Sequence, residues 1–137
     1  MSDINFIDPG WQWDAEFPLS QGLRVGDVVI LSGQCAIDGE GKVVGAGDLR
    51  AQTRKIFENI QEILDKAGAS FTDIVKLTTF FTVDITDFEA VKGYFDVRRE
   101  FFGAHKPAST GVQVTALVYP ELMLEVEATA YLPRGRD

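Results

Sequence analysis

Two carboxylates near the end of the chain have a spacing that acid–base chemistry could use. Glu125 and Glu127 lie in a segment, 122–132, whose apolar residues occupy every second position. Such alternation predicts a β-strand with both carboxylates on one face, about 6.5–7 Å apart at a rise of ~3.3 Å per residue. Bulky apolar side chains share that face, which indicates an interface with another subunit. Alternatively, both carboxylates form salt bridges on a solvated face.

Cysteine and histidine are too few for the usual metal or nucleophile arrangements. Cys35 is the only cysteine and His105 the only histidine. An internal disulfide and a cysteine-rich zinc site are therefore excluded, and we expect neither a metal nor a cofactor. No base is identifiable near Cys35, so we interpret it as a packing residue. We interpret His105 as a surface loop residue.

Composition and charge narrow the possible partners. The chain of 137 residues has 13 basic and 21 acidic residues, a formal net charge of −8. Nucleic-acid-binding proteins usually present a basic stripe, and the sequence has none, so we expect no nucleic-acid partner. No apolar run approaches the ~20 residues of a membrane span, and residues 1–5 lack signal-peptide features. We predict a single domain, 1–137, in the cytoplasm and not bound to a membrane.

Hydrophobic periodicity predicts two helices. The clearer one runs from about Leu49 to Ala67, with Asp48 as its N-cap and Gly68 at its end. The second begins at a capping box, Thr86-Asp87-Phe88-Glu89. Its predicted buried stripe consists of Phe88, Val91, Phe95 and Phe102.

Five strands are predicted around these helices, and the first 21 residues are expected to be irregular. The strands are Leu23–Val25, Val28–Ala36, Ile74–Val83, Val112–Leu117 and Leu122–Leu132. The order strand–strand–helix–strand–helix–strand–strand predicts an α+β fold, with a mixed sheet and two helices packed on one face.

Five segments resemble, in order, those of the RidA/YjgF family. They are Leu31-Ser32-Gly33-Gln34; a helix with Ala51-Gln52-Thr53, Asn59 and Ala67-Gly68; Asp73-Ile74-Val75-Lys76 with Thr78-Thr79-Phe80; Pro107-Ala108 followed by Val112; and Glu125-Val126-Glu127-Ala128. No single segment is diagnostic, but together they cover nearly the whole chain. The resemblance implies a chorismate-mutase-like fold, a homotrimer, and sites between subunits that hydrolyse reactive enamines or imines to ketones and ammonia.

The resemblance also implies roles for particular residues. Glu125 matches the glutamate that positions the attacking water, and Ser32 matches a residue that lines the same cleft. Gly111 lies where a backbone carbonyl holds that water. Taken without the resemblance, Ser32 would satisfy backbone groups of its strand, and Gly111 would allow a close approach or a bulge.

Two positions depart from the family pattern. Ser109 replaces the arginine that holds the substrate carboxylate in a bidentate fork, and Leu19 replaces a tyrosine that usually follows the early proline. A hydroxyl cannot replace a guanidinium as a counter-ion. Ser109 and Thr110 therefore either hydrogen-bond a ligand or belong to a surface loop. Arg98, close to the predicted buried stripe, is the candidate for a compensating cation; otherwise it is a solvated or ion-paired side chain.

Three functions follow from these observations. The first is a hydrolase of C=N bonds, similar to the 2-iminobutanoate/2-iminopropanoate deaminases, acting on an imine such as 2-aminomuconate. The second is a non-catalytic homotrimer that binds or senses a small metabolite. The third, a ribonuclease or translation inhibitor, is disfavoured by the acidic charge. Because Glu125 is retained, we favour the deaminase, with a small molecule and further copies of the chain as its partners.

Overall fold

The computed structural model describes residues 4–133 and contains one six-stranded sheet. The strands are β1 (Ile4–Ile7), β2 (Gly22–Val25), β3 (Val28–Gln34), β4 (Ile74–Phe81), β5 (Ala108–Gln113) and β6 (Leu124–Tyr131). The helices are α1 (Leu49–Ala67) and α2 (Phe88–Phe102), with a short 3-10 turn at Phe71–Asp73. No helix among residues 4–133 is long and apolar enough to cross a membrane.

The sheet is mixed, as the sequence predicts. Its strand order is β1-β2-β3-β6-β4-β5. Neighbouring strands are antiparallel, except that β5 lies parallel to β4 at the edge of the sheet. The side chains of β6 alternate between a buried face under the helices and a second, more open face that carries Glu125 and Glu127. The predicted α+β fold is therefore confirmed.

α1 begins and ends at the predicted residues. The Asp48 carboxylate accepts a hydrogen bond from the backbone N–H of Ala51 at 3.1 Å. Gly68 adopts the left-handed conformation, with φ 75° and ψ 23°, which a glycine reaches without steric cost.

α2 differs from the prediction at its N-terminus. Asp87 rather than Thr86 is the N-cap, and its carboxylate accepts from the N–H of Glu89 at 3.0 Å. The predicted burial of Phe88 is wrong, because this side chain is 61% exposed. The buried face is centred on Tyr94, and at 3.6 residues per turn Phe88 lies about 120° around the helix from it.

Two strands also differ from the prediction. Residues 4–7, expected to be irregular, pair with β2. Only Ile7 of β1 is buried, so the segment lacks the alternation of buried and exposed side chains from which a strand is predicted. β5 spans Ala108–Gln113 rather than 112–117, and all six of its residues are exposed. Hydrophobic patterning could not locate this strand, since neither of its faces is covered within the chain.

An aromatic cluster fixes α2 against α1. The ring of Phe57 on α1 packs edge-on against Phe71 and Phe102, with centroids 6.0 Å and 5.7 Å apart. Each such pair contributes about 0.5–1.5 kcal/mol beyond its buried area. The cluster holds the C-terminal turn of α2 beside the start of β5.

Candidate functional site

A cavity of about 260 Å³ lies between the segment 11–19, the end of β3 and the start of β6. Its apolar wall is formed by Trp11, Trp13, Phe17, Leu19, Ile37, Val118 and Tyr119. Its remaining lining is Gly33, Gln34, Cys35, Asn59 and Glu125. A concave, mostly apolar surface with a few polar groups is the usual form of a small-molecule site.

A β-bulge in β3 makes the space that Glu125 occupies. The pairing of β3 with β6 shifts register between Leu31 and Gln34, so Ser32 and Gly33 together lie opposite one residue of β6. A Cβ on Gly33 would overlap Oε2 of Glu125 and lie 2.8 Å from its Cδ. Only glycine at position 33 therefore leaves the Glu125 carboxylate where it is.

The Cys35 thiol is the hydrogen-bond donor to Glu125. Its Sγ lies 3.2 Å from Oε1 of the carboxylate. Burial raises the pKa of Cys35 well above its ordinary value, and the charge and hydrogen bond of Glu125 raise it further. Cys35 is thus a neutral thiol at physiological pH. It positions the carboxylate and is not a nucleophile.

Asn59 of α1 fixes the chain that leaves β3. Although polar, this side chain is only 3% exposed. Its Nδ2 donates to the carbonyls of Cys35 and Ile37 at 3.1 Å and 3.0 Å. Both carbonyls lie beyond the strand. That of Cys35 also accepts from the backbone N–H of Ile37 at 2.8 Å, whereas for Ile37 the Asn59 amide supplies the donor that the sheet does not.

Ser32 and Leu19 hold different places around the cavity. Leu19 lines it. The Ser32 hydroxyl donates to the carbonyl of Ser20 at 2.5 Å, and its backbone N–H donates to the carbonyl of Gln21 at 2.9 Å. Ser32 does not line the cavity in the described part of one chain; it ties the segment before β2 to β3.

Ser109, Thr110 and Gly111 lie on β5, away from the cavity. β4 separates β5 from β6, a distance of about 10 Å for two strand spacings. Ser109 pairs with the buried Leu77 and so faces the helices, whereas Glu125 is on the other face of the sheet. A single chain therefore brings Leu19 and Glu125 together but not the β5 residues.

Two of the β5 side chains contact cations of their own chain. Nζ of Lys76 donates to Oγ1 of Thr110 at 2.6 Å. Nη1 of Arg98 donates to Oγ of Ser109 at 2.9 Å. The sequence-predicted candidate cation thus reaches the position at which the resemblance expects an arginine.

The two carboxylates of β6 have different surroundings. Glu125 is half-buried in the cavity, whereas Glu127 is exposed and does not line it. Residues 4–133 contain no cluster of three His, Cys, Asp or Glu side chains able to hold a metal ion. Glu125 is thus the only ionisable carboxylate among the described residues of the cavity wall.

From the sequence, Trp11 and Trp13 either cover a cleft or pack on a neighbour, and the structure places both on the cavity wall. Sequence reasoning did not assign Gly33, Asn59 or Tyr119 to a site. The available signals for Gly33 and Asn59 were their positions in the family-like segments. The position of Tyr119, in the loop before β6, had no signal of its own.

Comparison with known proteins assigns the chain to a family. The model of the family described as Endoribonuclease L-PSP matches residues 12–132. The chain belongs to this family. A RutC family protein of Pyrococcus abyssi is 40% identical over 114 residues, 83% of this chain and 86% of that protein.

Solved structures of L-PSP and Rid proteins have the same fold. The Rid-family protein YyfA of Yersinia pestis, of unknown function, superposes with a TM-score of 0.83 at 28% identity, over 94% of this chain and 99% of that one. A protein of Thermotoga maritima, named as a putative endoribonuclease, gives 0.81 at 33% identity, over 93% and 96%. The predicted RidA/YjgF membership is confirmed.

Proposed function

We propose that this protein is a homotrimeric hydrolase that releases ammonia from small enamines or imines. The observation that carries the proposal is the Glu125 carboxylate, held by Cys35 above Gly33 in an apolar cavity. Membership of the L-PSP family supports it, because the RidA/YjgF resemblance implies a glutamate at this position as the group that positions water.

The chemistry requires proton transfers that one carboxylate can perform. Glu125 accepts a proton from water while the water oxygen attacks the carbon of a protonated imine, which gives a carbinolamine. The carboxyl group then donates that proton to the amine nitrogen. The C–N bond breaks, ammonia leaves, and the hydroxyl proton passes to Glu125 as the ketone forms. Ammonia takes up this proton as ammonium, which restores the Glu125 carboxylate. A positioned group of this kind contributes about 10²–10⁴-fold to a rate.

The cavity wall favours a substrate with an apolar body. No Lys or Arg is among the described residues that line it, and Leu19 provides an aliphatic side chain where a tyrosine is expected. An imine with a bulky apolar side chain would bury that side chain against Trp11 and Trp13, with about 25 cal/mol gained per Å² of apolar surface.

The open face of the sheet supports self-association. Ile30, Val112 and Tyr131 are exposed on this face, opposite the helices. Ile30 and Tyr131 lie near each other, because the pairing partner of Ile30 is Thr129, and adjoining exposed apolar side chains favour an interaction surface. The resemblance implies sites between subunits, so in a homotrimer the uncovered β5 of one chain would lie near the cavity of another. This arrangement is consistent with the separation of Ser109, Thr110 and Gly111 from Glu125 within one chain.

The test is ammonia release from freshly generated 2-aminoacrylate and from larger apolar imino acids. We expect turnover above the buffer rate, with the larger apolar compounds preferred. The protein mass in solution, measured by light scattering, should be that of three chains. Turnover no faster than in buffer for every compound would contradict the proposal and leave a metabolite-binding trimer as the function.

A further inference from the structure

A groove of about 460 Å³ lies between the C-terminal turns of α2 and the start of β5. It shares no lining residue with the cavity that contains Glu125. We propose that this groove binds the carboxylate group of a small organic acid, with Arg98 as the principal binding residue. This is a binding site, and it does not depend on the hydrolysis proposed above.

Arg98 is held in place by two hydrogen bonds, one of which leads to a buried pair of hydroxyls. Its Nη1 donates to the hydroxyl of Tyr94 at 3.1 Å and to that of Ser109 at 2.9 Å. Tyr94 is 1% exposed, and its hydroxyl is hydrogen-bonded to that of the equally buried Thr79 at 2.7 Å. The guanidinium is therefore oriented before any ligand arrives, which lowers the entropy cost of binding.

The opposite edge of the guanidinium is free. Among residues 4–133, neither Nε nor Nη2 of Arg98 has a hydrogen-bond partner, and no carboxylate pairs with this side chain. By contrast, Arg50, Arg54 and Arg99 each form a salt bridge. Nε and Nη2 make up the side-on edge that binds a carboxylate with two parallel hydrogen bonds.

The charge of the groove favours an anion. Lys106 also lines it and has no carboxylate partner in the described part of the chain. None of the described lining residues is acidic, although the whole chain has a net charge of −8. The field in the groove is therefore positive against an overall negative protein.

The walls favour an organic anion over an inorganic one. Phe95 and Phe102 line the groove beside Arg98, and the Arg98 guanidinium lies 5.7 Å from the ring centroid of Phe102. The rings offer apolar surface next to the cation. A carboxylate with a short hydrocarbon chain satisfies both, whereas phosphate satisfies only the cation.

The experiment is a titration of the protein with sodium butanoate, followed by NMR at constant ionic strength. Butanamide, which has the same shape without the charge, is the matched ligand control, and sodium phosphate tests for an inorganic anion. We expect butanoate to shift resonances of groove residues. Arg98→Gln should weaken its binding about tenfold or more, since a charged double hydrogen bond is lost.

Two further variants complete the test. Arg54→Gln removes the same charge from α1, away from the groove, and should leave butanoate binding unchanged. Arg98→Lys keeps the charge but not the planar fork, so the affinity should fall between those of the wild type and Arg98→Gln. The proposal is overturned if Arg98→Gln and Arg54→Gln bind butanoate equally well, if butanamide binds as tightly as butanoate, or if phosphate binds more tightly.

Discussion

Two concave regions of the molecule, the cavity that contains Glu125 and the groove beside Arg98, carry opposite charges. The cavity contains a single carboxylate, Glu125, and no Lys or Arg among its described lining residues. The groove contains Arg98 and Lys106 and no described carboxylate. By contrast, Arg54 and Glu100, which line neither region, form a salt bridge. Each region therefore combines a concave surface with a charge to which a bound molecule could supply the partner.

The difference also shows how a missing residue can be replaced from a neighbouring element. The resemblance expects an arginine at position 109, and the chain has a serine. Its hydroxyl accepts a hydrogen bond from Arg98 of α2, so the helix provides a guanidinium beside the strand. A positive charge is thus kept beside β5. The guanidinium comes from α2 rather than from β5, so it enters the region from a different direction and presents a different edge to a ligand.

Gly33→Ala should have the largest effect and acts on the cavity alone. The added Cβ would overlap the Glu125 carboxylate, so this group must move. We expect ammonia release to fall about 100-fold or more, the scale of a lost acid–base group. Stability should change little, because the atoms that the Cβ would overlap belong to the end of a flexible side chain. Steady-state kinetics and urea unfolding measure the two effects.

Gly39→Ala is the matched control for that substitution. A Cβ at Gly39 would meet Cδ1 of Trp11 at 3.7 Å, an ordinary contact on the wall of the same cavity. Its kinetics should resemble those of the wild type. Equal losses in Gly33→Ala and Gly39→Ala would mean that the position of Glu125 does not set the rate.

Asn59→Ala should destabilise the cavity side of the fold. The carbonyl of Ile37 loses the Asn59 amide as its donor, whereas that of Cys35 keeps the backbone N–H of Ile37. We expect the free energy of unfolding to fall by about 1–3 kcal/mol. Gln61→Ala on the same helix, where the amide bonds only Asp65 on the surface, should cost far less. Similar urea midpoints for both variants would contradict the positioning role of Asn59.

Cys35 should make stability depend on pH in the alkaline range. Its pKa is raised in the folded protein, so the folded state keeps a proton that the unfolded state loses. The stabilisation is full below about pH 9, where an ordinary thiol is protonated, and decreases as the pH rises above it. The urea midpoint should fall above pH 9 in the wild type and fall less in Cys35→Ala.

The same thiol gives a second check on the cavity. Because the neutral form reacts poorly, iodoacetamide should label Cys35 far more slowly in the folded protein at pH 8 than in urea. Fast labelling of the folded protein would contradict the donor role assigned to this thiol.

Ser109→Ala should have the smallest effect and acts on the groove alone. It removes one of the two hydroxyls that orient Arg98 and leaves the charge in place. We expect butanoate binding to weaken about two- to fivefold, because the bond lost is exposed and orients Arg98 without contacting the ligand. Ser109→Thr keeps the hydroxyl and should bind as the wild type does. A loss as large as that of Arg98→Gln would show that Ser109 itself holds the ligand.

The fold could be predicted where buried residues recur at the regular spacing of a helix or a strand. α1 with its caps and the alternation of β6 could be read from the sequence, because one face of each is buried in the chain's own core. β1 and β5 could not, since their side chains are mostly exposed within one chain. Phe88 shows a further limit of hydrophobic spacing. It fits the helical stripe by its position in the sequence, but α2 is oriented with Tyr94 toward the core, so Phe88 lies outside the buried face.

The candidate site was predictable in part. Glu125 and Leu19 were found through the resemblance, and the structure places both on the cavity wall. The bulge at Gly33 and the two bonds of Asn59 depend on how β3 leaves the sheet, which residue types and spacing do not encode. The Arg98–Ser109 contact joins residues of a helix and a strand, and the sequence could indicate only that Arg98 lay near the buried stripe.

The most direct test of the account is ammonia release by Glu125→Gln beside Glu127→Gln. Both substitutions remove one carboxylate from the same face of β6, but only Glu125 lines the cavity. The account predicts that Glu125→Gln loses turnover by about 100-fold or more and that Glu127→Gln keeps it, with both proteins folded as the wild type is. Equal rates for the two variants would contradict the assignment of Glu125 as the catalytic residue.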